Sequence, residues 1–112
     1  MAIVKNLPLI PAERALKVIS GRWKVFALYY LFDEPRRLSE LCRLIPDVSQ
    51  KMLVQSLREM EEHGLVSRQV HAEVPARVVY TATALGMSLR PIVQSLCDWG
   101  KRHADELDAV TA

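Results

Sequence analysis

At 112 residues, half of them hydrophobic and a quarter charged, the chain is long enough for one domain with a buried core. That composition is ordinary for a globular protein, and a net charge of +2 does not by itself predict nucleic-acid binding. No apolar run reaches membrane-spanning length, and the proline-broken start, Leu-Pro-Leu-Ile-Pro, is no signal peptide, so a soluble cytoplasmic protein is expected.

Residues before Pro8 read as a loose arm. Pro11 fits the first turn of a short helix running to Val18 or Ile19, because a missing N–H costs nothing there, and Ser20-Gly21 breaks it. The next segment, from Arg22 to Phe32, is apolar nearly all round, which predicts a central buried helix ended by Asp33-Glu34-Pro35. Ser39 is a plausible N-cap for a short helix carrying Leu41, Leu44 and Ile45 inward. Pro46-Asp47-Val48 is then a tight connection into a longer helix over 49–63, capped by Ser49 and ended by Gly64.

In that longer helix Leu53, Ser56, Leu57 and Met60 fall on one side at helical spacing, and Lys51, Gln55, Arg58 and Glu62 on the other. Arginine can bond guanine edges, glutamine can bond adenine, and lysine can neutralise phosphate, so the first half suits a DNA major groove. Glu59, Glu61 and Glu62 follow and would stay outside. Alone, the pattern reads first as a solvated amphipathic helix. Its setting adds weight, since a short helix, a tight turn and a second helix make a helix-turn-helix, and the cations Arg36, Arg37, Arg43, Lys51 and Arg58 gather there against only Glu40 and Asp47.

After Gly64 the period changes to two. Val66, Arg68 and Val70 alternate with Ser67, Gln69 and His71, and Val78 to Thr81 is a second β-rich run, so two antiparallel strands are expected with Pro75 in their connection. A hairpin placed here is a wing, with Arg77 its obvious contact and Arg68 and His71 weaker candidates. Thr83 then caps a last helix over about 84–107, interrupted or restarted near Pro91, with Leu85, Leu89, Ile92, Val93, Leu96 and Trp99 as one long apolar face. A second copy of the chain is a natural cover for it.

The fold class is therefore mainly α with a small β-hairpin, a winged helix-turn-helix in a single domain over 1–112. Cys42 and Cys97 belong to no CxxC or His/Cys spacing and read as packing residues. His63, His71 and His103 show no metal-ligand spacing, and no Gly-rich phosphate loop is present, so neither metal, cofactor nor enzymatic activity is expected.

The order of these elements, together with specific stretches, resembles the HxlR family of bacterial, MarR-like winged helix-turn-helix transcription regulators. The stretches are Pro-Ala-Glu-Arg-Ala-Leu at 11–16, Val-Ile-Ser-Gly-Arg-Trp-Lys at 18–24, and Arg-Leu-Ser-Glu-Leu-Cys-Arg-Leu-Ile-Pro at 37–46. They continue with Val-Ser-Gln-Lys-Met-Leu at 48–53, Leu-Arg-Glu-Met-Glu-Glu-His-Gly-Leu-Val at 57–66, Glu-Val-Pro-Ala-Arg-Val-Val-Tyr at 73–80 and Thr-Ala-Leu-Gly at 83–86. The resemblance implies a homodimer on an inverted-repeat operator in double-stranded DNA, with dimer contacts from the first and last helices. It places the recognition helix at 49–63 and the wing at 65–81. It assigns DNA contact to Ser49, Gln50, Lys51, Gln55 and Arg58, with Arg37 and Arg77 on backbone or groove edges, and less firmly to Glu40 and Arg43.

Redox-sensing members of that family carry a cysteine just before the motif that begins at Pro11, whereas Ile10 stands here and cannot form a thiolate. The aromatic set Trp23, Tyr29, Tyr30, Phe32 and Trp99 reads first as core and otherwise as lining for a small hydrophobic or aromatic effector at a dimer interface. Against the regulator stands a second function, a winged-helix protein-interaction module using the same helix without specific DNA binding.

Overall fold

The computed structural model describes residues 10–111, so the expected arm ahead of Pro8 lies outside the described residues. Pro11 opens α1 (Pro11–Ile19), and the break after it is sharpened by Gly21, whose φ of 102° suits a residue without Cβ. Next comes α2 (Arg22–Leu31), the central element, which packs against α3 (Leu38–Leu44), α4 (Gln50–Glu62), α6 (Arg90–Arg102) and β3 (Arg77–Ala82). Ala27 and Leu28 are fully enclosed, and Lys24 is buried among them.

The core continues through Leu41 and Ile45 of the helix-turn-helix and through Leu53, Leu57 and Met60 on the inner face of α4, all at 0–1% exposure. Burying each such side chain contributes about 2 kcal/mol, enough to fix the rotation of α4 about its axis. The connection from α3 to α4 is tight because Asp47 takes a left-handed φ of 63°, a conformation aspartate adopts more readily than most residues.

Both expected strands form, as β2 (Val66–His71) and β3, paired antiparallel from Val66 opposite Ala82 to His71 opposite Arg77. A third strand was not expected. β1 (Arg36–Arg37) pairs with the other edge of β3, Arg36 opposite Tyr80 and Arg37 opposite Val79, giving the order β1-β3-β2. The segment entering the helix-turn-helix is thus hydrogen-bonded to the wing.

Three details differ from expectation. Arg37, not Ser39, holds the N-cap position of α3, where the Glu40 carboxylate accepts a hydrogen bond from the Arg37 backbone N–H at 2.9 Å and so satisfies a donor at the helix entry. The last helix is three pieces: α5 (Ala84–Met87), capped by Thr83 as expected, then α6 and α7 (Ala104–Thr111). Pro91 sits in the first turn of α6, the expected restart, and cannot extend a helix arriving from α5, whereas the second break, at His103, was not expected. Third, the long apolar face is two faces. Leu89 and Val93 point into the core, while Leu85, Ile92, Leu96 and Trp99 face outward at 49–57% exposure.

Candidate nucleic-acid interface

Ser49 caps α4 with its own side chain, Oγ accepting from the Met52 backbone N–H at 3.1 Å, and Gly64 ends the turn beyond it at φ 76°. Because Leu53, Leu57 and Met60 lock the inner face, Gln50, Lys51, Gln55 and Arg58 share a single outer surface with Val54, and all four are exposed. Lys51 and Arg58 make no ion pair among the described residues. Arg37 is also exposed and unpaired in that sense, and it lines a groove with Leu38, Ser39, Cys42, Gln50, Ala76 and Val78 where the starts of α3, α4 and β3 meet. The structure therefore brings Arg37 and Gln50 together at one edge of the α4 surface. Arg43 is exposed without an ion pair among the described residues.

Other cations of the sequence cluster are occupied. Arg36 turns inward, its Nε donating to the Tyr30 carbonyl at 3.3 Å and its side chain only 17% exposed, so it leaves the exposed group. On the wing Arg77 Nε lies 3.0 Å from Glu73 Oε2, enclosed but out of line for a hydrogen bond, and Arg68 Nε lies 3.7 Å from Glu61. Beyond Arg58 the surface enters a cleft with Val54, Glu61, Glu62, Arg68 and Tyr80, so the basic surface gives way to mixed charge at the C-terminal half of α4. Burial pushes the Tyr80 hydroxyl above its ordinary 10.0 at the base of this cleft.

Sequence reasoning missed a connection behind Gln55. Lys24 Nζ reaches Glu59 Oε1 at 2.8 Å, and Glu59 Oε2 accepts from Gln55 Nε2 at 2.9 Å. The hydrogen bond from Gln55 first, and then Lys24, hold the Glu59 carboxyl below its ordinary 4.5. A lysine inside an otherwise apolar helix was the signal that could have pointed to a buried partner.

The aromatic set does not gather in one site, although Tyr29 and Phe32 line one small cavity with Asp33, Arg90, Val93 and Gln94. Trp23 packs with Phe26, Tyr29 with Tyr30 and Trp99 with His103, while Phe32 is buried in the core. Trp99 instead lies in an open apolar groove with Pro91, Ile92, Ser95, Leu96 and Arg102. Cys42 and Cys97 are free thiols, half-buried against the core. Among the described residues no three His, Cys, Asp or Glu side chains gather as metal ligands, and no helix is long and apolar enough to cross a membrane.

The sequence model for HxlR-like helix-turn-helix proteins matches residues 18–108. A Bacillus subtilis protein described as an uncharacterized HTH-type transcriptional regulator, YkvN, is 52% identical over 94 residues, which cover 84% of this chain and 80% of that one. Among solved structures, the redox regulator HypR in its reduced form superposes with a TM-score of 0.85 at 39% identity, covering 89% of this chain and 99% of its own. A protein from Enterococcus faecalis V583 described as a putative transcriptional regulator of the MarR family superposes with a TM-score of 0.75 at 40% identity, covering 85% and 86% of the two chains.

Proposed function

The chain belongs to the HxlR-like helix-turn-helix family of DNA-binding transcriptional regulators, and from that premise we propose that it acts in the cytoplasm as a homodimer on an inverted-repeat operator. Each α4 reads one half-site. The observation that carries this reading is the division of α4, whose inner face is sealed at Leu53, Leu57 and Met60 while its outer face presents Gln50, Lys51, Gln55 and Arg58 together. Lys51 neutralises a phosphate, Arg58 offers a planar fork to a guanine edge, and the glutamine amides meet base edges in the major groove. Ser49 fixes the helix start at the groove wall. Arg37, beside Gln50, takes the phosphate backbone, and Arg77 does so on the wing by exchanging Glu73 for a phosphate.

The homodimer is supported by the outward row Ile92, Leu96 and Trp99, which share one apolar groove on α6, and by the separate exposed side chains Leu85 on α5 and Leu16 on α1, each about half exposed or more. Monomers rarely leave so much contiguous apolar surface in water. A two-fold pair sets its reading helices roughly 34 Å apart, one turn of duplex.

Fluorescence anisotropy of the protein on its own upstream intergenic DNA, against a scrambled duplex at two salt concentrations, tests the reading. Tight binding to the native fragment is expected, with Arg58→Ala costing about 1–3 kcal/mol and relaxing discrimination at one base pair. Weak and equal binding to both duplexes would overturn it in favour of a protein-interaction module.

A further inference from the structure

Of the two cations of α2, Arg22 is exposed and Lys24 is enclosed, its side chain 8% exposed with Nζ 2.8 Å from Glu59 Oε1. An enclosed ammonium without a partner is costly, so this pair is a fixed link between the central helix and α4. The other carboxylate oxygen of Glu59 accepts a hydrogen bond from Gln55 Nε2 at 2.9 Å. An ionised carboxylate offers lone pairs only, so Gln55 must turn its NH2 toward Glu59 and never its carbonyl. The amide loses its freedom to exchange ends. What stays available on the exposed side is the carbonyl oxygen and the second N–H, an acceptor beside a donor.

That pairing matches one base edge. In the major groove adenine presents the N6 amino donor next to the N7 acceptor, whereas guanine presents two acceptors, cytosine a donor alone, and thymine an acceptor with a methyl group. We propose that Lys24 and Glu59 are positioning residues that lock Gln55 as an adenine reader, so that base preference at one step of each half-site is set from behind the helix. The proposal rests on α4 being the DNA-reading helix. Released from Glu59, Gln55 can turn its NH2 to guanine or its oxygen to cytosine, and preference at that base pair broadens. Affinity carried by phosphate contacts is untouched.

The test starts from a random duplex pool selected on the full-length protein. Anisotropy is then measured on the selected duplex and on its single-base-pair replacements, at two salt concentrations. Wild type should favour adenine by about tenfold or more at one position per half-site, and Gln55→Ala should erase that preference and so mark the position. Glu59→Ala, which leaves no acceptor for the Gln55 amide, and Lys24→Met should flatten the same position, leave the others in place and keep the salt dependence, while Lys24→Arg restores the preference. Glu59 is 40% exposed, so its variant keeps the test decisive even where Lys24→Met fails to fold. Retention of the adenine preference in Glu59→Ala, or a uniform loss at every position, would overturn the positioning role alone. A wild-type protein that selects no sequence would remove the DNA-reading premise and the proposal with it.

Discussion

Substituting Gly86 by alanine should strike the joint between the wing and the helices that follow. A Cβ on Gly86 would stand 2.1 Å from the Leu65 carbonyl oxygen and 3.1 Å from its carbon, both backbone atoms that no rotamer change can move. Contacts of that kind essentially never fall under 3.0 Å, so the two chain segments must part by at least about 0.9 Å. They are pinned together, however. Leu65 O accepts from the Thr83 N–H at 3.0 Å, and the Thr83 hydroxyl donates to the Gly64 carbonyl while accepting from the Gly86 N–H at 3.1 Å. Opening the joint weakens one or two of these bonds at about 1 kcal/mol each and adds the strain of overpacking, so a loss of about 2–4 kcal/mol is expected. For a domain of this size that lowers Tm by roughly 8–16 °C, readable by circular dichroism and urea titration at fixed protein concentration. A Tm within about 1 °C of wild type would refute the reasoning, since it would mean that the joint yields freely.

Other consequences are as direct. Ser49→Ala removes the acceptor of the Met52 N–H and should cost about 1 kcal/mol in urea titration, with a matching loss of DNA affinity from a frayed helix start. Leu96→Glu places a charge in the exposed apolar row of α6 and should yield a folded monomer by light scattering at a concentration where wild type is dimeric; a persisting dimer would move the interface elsewhere. The Glu59 carboxyl titrates below its ordinary 4.5 because Gln55 and then Lys24 favour the ionised form, so its stabilisation is complete above that value and is lost as pH falls through the lowered one. The stability advantage of wild type over Glu59→Gln should therefore shrink between about pH 7 and about pH 3, and an advantage that holds constant across that range would contradict the assignment.

The sequence carried most of the architecture because α4 and α6 are amphipathic at helical spacing, α2 is apolar nearly all round, and β2 alternates. Leu53, Leu57 and Met60 lie at helical spacing and are all enclosed, and the alternation from Val66 to His71 became a strand. What escaped depends on contacts between distant parts of the chain. Two arginines carry no strand pattern of their own, and β1 exists only because β3 offers an edge. The division of the last helix's apolar residues into inward Leu89 and Val93 and outward Ile92 and Leu96 follows from where α6 lies against α2, which periodicity does not state. Gly86 has no left-handed φ to mark it, since its constraint is a carbonyl from another element. The exposure of Lys51, Gln55 and Arg58 on one surface was legible from helical phase, and Gln50 beside them from the family resemblance, but the partners that silence Arg36 and pair Arg77 were not.

The separation of roles across α4 bears on how such a protein diversifies. Replacing Gln50, Lys51 or Arg58 alters the exposed side without disturbing Leu53, Leu57 or Met60, so with α4 as the proposed DNA-reading helix a duplicated copy can acquire new targets at little cost in folding. Gln55 is the exception. Changing it takes a hydrogen-bond donor from Glu59, whose charge answers the enclosed ammonium of Lys24, so drift at this position selects for compensating change in a different helix. Within a lineage, the three positions are expected to evolve as a unit while their neighbours on the same surface vary independently.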